Sequence, residues 1–235
     1  MFVPNRKFYI VLLLFSVILT SLASFVEEYT GVYTIWISIS CGATASIIVA
    51  WLIDEANCRK AKEVAKENRE TLFKRLFSTF ENSLQILIYE CLVYTKENSS
   101  RNWFEWTQCA IHLTEKYPEF RNDCNRSIYL FFEDVMAQVI IIQSQESSLL
   151  ENGIITREDI EALSSMISIC DMARRKNNSK KEENETAKWN DTCCKLLRNV
   201  ISYSPTMKEI NEKSFESTLY QMMIQAQKRE STIEQ

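Results

Sequence analysis

Glycine and proline are nearly missing: three of each in 235 residues, and neither between Gly42 and Pro118. Glycine-rich phosphate loops, tight hairpins and nucleophile elbows rely on backbone freedom that glycine supplies cheaply. Their scarcity points to helices throughout and against a sheet-rich enzyme fold. Histidine occurs once, at His112. A single histidine excludes an HExxH site, a facial triad with two histidines and a paired ExxH di-iron arrangement. Some helical ribonucleases place an arginine and a histidine a few residues apart; here the nearest upstream arginine is Arg101, with ten residues between. Cys109, His112 and Glu115 do align along one helix side, but a core cysteine beside a surface histidine accounts for them, and neither metal nor cofactor is expected. A formal charge of −4 lacks the concentrated basic face that nucleic acid demands, so no nucleic-acid partner is expected either.

Eight cysteines stand at 41, 58, 91, 109, 124, 170, 193 and 194, with no CxxC pair. One falls in an apolar run, leaving an odd number for a disulfide framework. They read as reduced thiols that pack as small hydrophobes. The adjacent Cys193 and Cys194 admit a strained vicinal disulfide, but on a helix their thiols point in different directions. Cys58 lies where S-acylation occurs in other proteins, and a plain stalk residue is the preferred reading.

Long charge-free runs are concentrated at the N-terminus. Phe8 to Val26 spans nineteen residues without a charge, and Val32 to Ile53 spans twenty-two. A helix needs about 20 apolar residues to cross the hydrocarbon core, so both qualify. Arg6 and Lys7 precede the first span; Arg59, Lys60, Lys62, Lys66 and Arg69 follow the second. Basic flanks stay inside, which predicts a multi-pass protein of the inner or plasma membrane with both termini cytoplasmic and "EEYTG" outside. Tyr33 and Trp51 read as interfacial anchors. One competitor is a secretory signal cleaved after Ala23. Sequons at Asn98, Asn125, Asn177, Asn184 and Asn190 are the contrary hint of a lumenal domain; a chain rich in Asn, Ser and Thr is the preferred explanation, given the basic flank.

The remainder reads as an all-α protein: a two-helix transmembrane hairpin (1–53), a helical stalk (54–71) and a cytosolic helical bundle (72–235). Alternating charges support the stalk as an exposed helix through pairs such as Glu55–Arg59 and Lys66–Glu70. From Leu72, apolar residues recur at three and four through Cys91, a core-facing stripe. Further helices are expected over 103–116, 125–150, 156–173, 186–203 and 206–229. Thr156-x-x-Asp159 supplies a capping box, and 174–185 is expected as a charged loop. The apolar 125–150 segment tempts a third span, but Glu133 and Asp134 at its centre argue for a buried core helix.

Small residues recur four apart in both spans: Ser16, Thr20 and Ser24 in the first, Ser38, Gly42, Ser46 and Ala50 in the second. Folding about Tyr29 sets Ser24 against Thr34, Thr20 against Ser38 and Ser16 against Gly42. Small thus meets small as a helix-packing stripe. A homo-oligomer interface is the alternative use of the same residues.

"CGATASIIVAWLIDEANCRK", Cys41 to Lys60, resembles the span-to-stalk junction of uncharacterised bacterial proteins with two N-terminal membrane helices and a cytosolic helical domain. The architecture of about the first 75 residues is also similar to two-span antiviral-defence effectors of the SLATT type. That resemblance implies a cytosolic cue that drives membrane assembly and permeabilisation, and it carries no catalytic signature. The expectation is a non-enzymatic membrane protein whose helical domain binds a cytosolic protein partner, with membrane lipid around its spans. A small oligomeric channel is the alternative, and a tethered enzyme with an unrecognised carboxylate site is a third class.

Overall fold

The computed structural model describes residues 5–22, 31–96, 101–178, 183–213, 221, 224 and 225. Among them there are nine α-helices and no strand. The chain divides into two compact units, Met1–Glu67 and Asn68–Gln235. The boundary falls inside one long helix.

The first unit holds α1 (Arg6–Leu22) and the N-terminal part of α2 (Gly31–Ser83). Neither stretch contains a helix breaker after Gly42, and α2 accordingly runs for 53 residues. Residues 23–26 of the expected first span, and 27–30 of the expected outer turn at 27–31, lie outside the described residues; Gly31 is already the first residue of α2.

The second unit is built on the stripe that begins at Leu72. Phe73, Leu76, Phe77, Phe80, Leu84, Leu87, Ile88 and Cys91 are all buried, as three-and-four spacing requires of a core-facing edge. The helix does not run through unbroken. It stops at Ser83 and restarts as α3 (Gln85–Thr95), with Leu84 at φ −96° and ψ 2°. The Leu84 amide is shared between the carbonyls of Phe80 (3.3 Å) and Glu81 (3.1 Å). The Ser83 hydroxyl lies between the Thr79 carbonyl and the Asp134 carboxylate. The break uses neither glycine nor proline. Side-chain competition for backbone carbonyls, which loosens helices at serine, accompanies it.

α4 (Trp103–Lys116) opens with a complete capping box: Asn102 accepts from the Glu105 amide at 3.0 Å, and Glu105 accepts from the Asn102 amide at 3.1 Å. Pro118 starts a 3-10 turn to Phe120, and α5 (Arg121–Ser144) follows. α5 packs on α3, α4, α7 (Arg157–Asn178) and α8 (Glu183–Tyr203). Phe131, Phe132, Val135 and Val139 on it are fully buried. The central acids have partners: Glu133 accepts from the Tyr129 hydroxyl at 2.6 Å, and Asp134 from Ser83. Among the described residues, the segment Pro118–Ser144 is one of two that are long and apolar enough to cross a membrane, with a third (33%) of its apolar window buried. The other is α2, whose window is only 6% buried.

Several boundaries differ from expectation, and α5 starts at Arg121, four residues before the expected 125. The 125–150 helix is two, because Gln145 (φ −109°) separates α5 from the short α6 (Glu146–Glu151). α7 runs to Asn178 and α8 starts at Glu183, so most of the expected charged loop at 174–185 is helical. Its remaining residues, 179–182, lie outside the described residues. α9 (Pro205–Lys213) begins where Pro205 takes a first-turn position that needs no amide hydrogen. Of the expected 206–229 helix, 214–220, 222–223 and 226–229 lie outside the described residues.

Aromatic rings organise the core. Trp103 meets Phe80 edge-on at 5.4 Å and leans on Phe131 at 5.3 Å. Its indole N–H, which must find a partner when buried, donates to Asn211 Oδ1 at 2.7 Å.

Candidate membrane-facing helix pair

Within the first unit, α1 and α2 meet along a face that is polar at its centre. Ser16 and Ser40 are buried, at 2% and 4% exposure. Ser16 Oγ lies 2.5 Å from Thr44 Oγ1, and Thr44 donates to the Ser40 carbonyl at 2.8 Å. Thr44 has one hydroxyl hydrogen and spends it on Ser40, so Ser16 is the donor between the helices. At one end of the pair Tyr9 stacks on Trp51, 6.1 Å between centroids and 4° between planes. Beyond it Arg6 grips Glu55 at 2.8 Å. Toward the other end the Trp36 indole donates to the Leu19 carbonyl at 2.9 Å.

Outside this seam the surface is apolar. Val11, Leu14, Phe15 and Ile18 on α1, and Ile39 and Leu52 on α2, are all more than half exposed. Ser16 and Ser40 are inside and these aliphatic side chains are outside, which inverts the ordinary rule of globular proteins along this face, while Thr34, Ser38 and Ser46 are exposed too. Water penalises such a surface; hydrocarbon does not. From Tyr33 to Asp54 a helix rises about 31 Å, close to the thickness of a bilayer core. Trp51 and Tyr33 stand near the two ends of that interval, Trp51 now with a ring partner.

The register differs from the expected one. Tyr9 with Trp51, and Ser16 with Thr44, are pairs whose numbers sum to 60, where folding about Tyr29 predicts 58. Ser16 therefore meets Thr44 and not Gly42. The α2 seam is Tyr33, Ile37, Ser40, Thr44, Ile47 and Trp51, all buried or half-buried. Ser38, Gly42, Ser46 and Ala50, together with Thr34, are exposed. A Cβ placed on Gly42 would meet nothing within 4 Å. On α1, Ser16 and Thr20 do face the seam, and Ser24 lies outside the described residues. Serine and threonine at 40 and 44 thus do the work assigned to 38 and 42. Their signal is legible in retrospect as an alternation of threes and fours, the spacing of a seam between two helices.

The other sequence-derived candidates scatter. His112 Nδ1 lies 3.9 Å from Glu115 Oε2 on a fully solvated surface, both side chains 81% exposed. Cys109 instead faces Arg101, whose guanidinium reaches its sulfur at 2.9 Å. Among the described residues no group of three or more His, Cys, Asp or Glu is placed to hold a metal ion. Cys193 and Cys194 are both buried as free thiols. Burial pushes the Cys193 thiol up to about 11 and the Cys194 thiol well above its ordinary value. Two sequon asparagines are structural: the Asn177 amide donates to Asn190 Oδ1 at 2.9 Å, and Asn190 is fully buried.

Two open clefts mark the second unit. One, about 590 Å³, lies between α4, the start of α5 and α8, and is lined by His112, Glu115, Arg121, Lys188 and Asp191 among others. Its charges are mixed. The second, about 360 Å³, lies between α7 and α8, where Glu158 and Glu161 flank Ala162, Val200 and Tyr203. The Tyr203 ring is almost wholly exposed. Glu158 is held below the usual carboxylate range by a backbone hydrogen bond at the α7 N-terminus, aided by Thr156. Comparison with protein-family models, with curated proteins and with solved structures finds no match for the chain.

Proposed function

We propose that this chain is a non-enzymatic, multi-pass protein of the inner or plasma membrane, with both termini cytoplasmic, whose helical second unit binds a cytosolic protein partner. The observation that carries the reading is the inverted polarity of the α1–α2 pair. Its hydroxyls hydrogen-bond inward at Ser16 and Thr44 while its apolar side chains face out. The basic residues from Arg59 onward support the inside placement of α2's continuation. The buried Asn190 supports it too, since a glycan cannot be attached to a side chain sealed in a helix interface. For the partner, the α7–α8 cleft offers an exposed tyrosine between two acids, a composition suited to a basic, partly apolar segment. Action on the membrane after partner binding, as in two-span defence effectors, is the version of this function that the first 75 residues or so resemble.

Alkaline carbonate washing tests the membrane reading: full-length protein should stay in the pellet, and a chain lacking residues 1–53 should be released. Recovery of the full-length chain in the wash overturns it. Membrane potential, followed during induced expression, separates the effector version from simple anchoring.

The exposed stripe at Ser38, Gly42, Ser46 and Ala50 favours a second reading, a small oligomeric channel. Gly42 leaves open the close approach of a second helix. Ion flux through liposomes holding the purified protein alone is the distinguishing result.

A further inference from the structure

One guanidinium in the second unit holds the turn between α6 and α7. Arg69 Nε donates to the Ile154 carbonyl at 2.7 Å, and its Nη2 donates to the Gly153 carbonyl at 3.0 Å. Arg69 stands on α2 just past the unit boundary at Glu67, 85 and 84 positions from the carbonyls it binds. A planar fork on two consecutive carbonyls fixes direction as well as distance, which a single bond from lysine would not. The turn itself is tightly wound. Gly153 sits at φ +64°, and the amides of Ile154 and Ile155 both donate to the Leu149 carbonyl, at 2.8 and 3.3 Å. Ile155 joins the turn to Thr156, whose amide and hydroxyl close the cap with Asp159. The other oxygen of Asp159 accepts from Ser204, and Ser204 Oγ accepts from the Met207 amide at 3.1 Å. Asp159 and Ser204 each have a chain neighbour in the α7–α8 cleft, Glu158 and Tyr203. A hydrogen-bonded path thus runs from the cleft to α2 through Ser204, Asp159, Thr156, the turn and Arg69. Every member of it is buried or half-buried, so water competes weakly for its bonds.

We propose that the α6–α7 turn is a clasp that couples the α7–α8 cleft to α2, closed while Arg69 holds Gly153 and Ile154 and released when the Asp159 cap shifts. The proposal rests on the reading of that cleft as the seat of the cytosolic partner. A partner that displaces Tyr203 or engages Glu158 pulls on the Ser204–Asp159 bond. Thr156 moves with Asp159, because its amide and its hydroxyl are both bonded to that residue. The turn follows through Ile155, which is buried and has little room to absorb the movement. A rigid fork binds both carbonyls only while they keep their spacing, so a small shift of the turn gives up the paired grip as a unit. The coupling is reciprocal: whatever frees Arg69 also loosens the caps of α7 and α9.

Hydrogen exchange of the full-length protein in detergent micelles, read at single amides, tests this. Arg69→Met keeps the aliphatic stem and removes every donor. It should speed exchange at the Asp159 and Met207 amides by about five- to a hundredfold, the range of coupling between linked sites. The Glu105 amide at the α4 cap lies outside the path and should not change. Acceleration confined to the turn amides at Gly153, Ile154 and Ile155 overturns the proposal. Equal acceleration at Glu105 overturns it too, since that is general loosening. Ser204→Ala reads the same coupling from the other end, and decides the matter if Arg69→Met does not fold. The three turn amides should then quicken by a similar factor, and their staying protected overturns the proposal. Both measurements are made without a partner, so failure of the coupling and failure of the partner reading are separate results.

Discussion

The Asp159 carboxylate accepts the hydroxyl of Ser204, forty-five positions away in sequence, and both side chains are fully buried. Each caps a helix. Asp159 exchanges bonds with Thr156 at the start of α7, accepting from its amide at 2.9 Å while Thr156 Oγ1 accepts from the Asp159 amide at 3.2 Å. Ser204 Oγ accepts from the Met207 amide at 3.1 Å, at the start of α9. Two helix N-termini are thereby stitched through one carboxylate.

Removing that carboxylate strands both partners in a dry site. Asp159→Ala is expected to cost about 2–3 kcal/mol, from a lost cap and an orphaned hydroxyl. Ser204→Ala alone should cost about 1–2 kcal/mol. In a double-mutant cycle followed by urea unfolding, the two losses should not add, because they share the bond. Additive losses would separate the caps energetically.

Ser16→Leu and Gly42→Leu should behave in opposite ways. Leucine at Ser16 has no room in the seam and is expected to destabilise the helix pair by about 1–3 kcal/mol. Leucine at Gly42 points into open space and should leave thermal unfolding in detergent unchanged. It should instead abolish any cross-linkable oligomer that uses the exposed stripe. Equal destabilisation by the two substitutions contradicts the observed register.

Trp103→Ala removes the ring that holds Phe80 and Phe131 together and leaves Asn211 without the indole donor. A loss of about 3–5 kcal/mol is expected on denaturant unfolding. Trp103→Phe should recover most of the packing and retain a smaller deficit from the missing N–H.

Buried thiols tie stability to alkaline pH. Burial raises Cys124 from 9.0 to about 12 and Cys193 to about 11, and it also drives Cys170 and Cys194 upward. A group whose pKa rises on folding holds its proton more tightly in the folded state. Its contribution is complete below pH 9 and is lost as pH climbs through the folded value. The melting temperature should therefore be flat with respect to these thiols near pH 8 and fall between pH 9 and 11. Each thiol contributes at most about 1.4 kcal/mol per pH unit to that fall. Cys124→Ala should flatten the alkaline limb; an unchanged limb would place the effect elsewhere.

Much of the helical layout is readable from residues alone, because its signals are local. The scarcity of glycine and proline announces helices, Thr156 with Asp159 marks one start, and the spacing from Leu72 to Cys91 marks a buried edge; the Asn102–Glu105 box carries the same kind of local signal, though the sequence expectations do not include it. What escapes is relational. Residues four apart advance about 40° around a helix at each step, so Ser38, Gly42, Ser46 and Ala50 wind away from any straight neighbour. The seam instead alternates threes and fours, and its pairing lies two residues away from the one that folding about Tyr29 gives. The break at Leu84 carries no breaker residue.

The hydroxyls of the α1–α2 seam also bear on how easily that seam could be given up. Thr20 and Ser21 bond the carbonyls of Ser16 and Val17, four residues back at 2.9 Å each, and Thr44 does the same to Ser40. Each is content within its own turn, so parting the helices orphans few donors even in hydrocarbon, where orphaned donors are what make separation expensive. The Ser16 proton must find a new acceptor, and the Leu12 carbonyl one turn back can serve; the Trp36 indole loses its Leu19 carbonyl as well. The pair is closed by fit more than by need. Such a seam can swap its neighbour for an identical helix from another chain at little cost, a loose latch where a tightly knit small-residue interface would have been a weld.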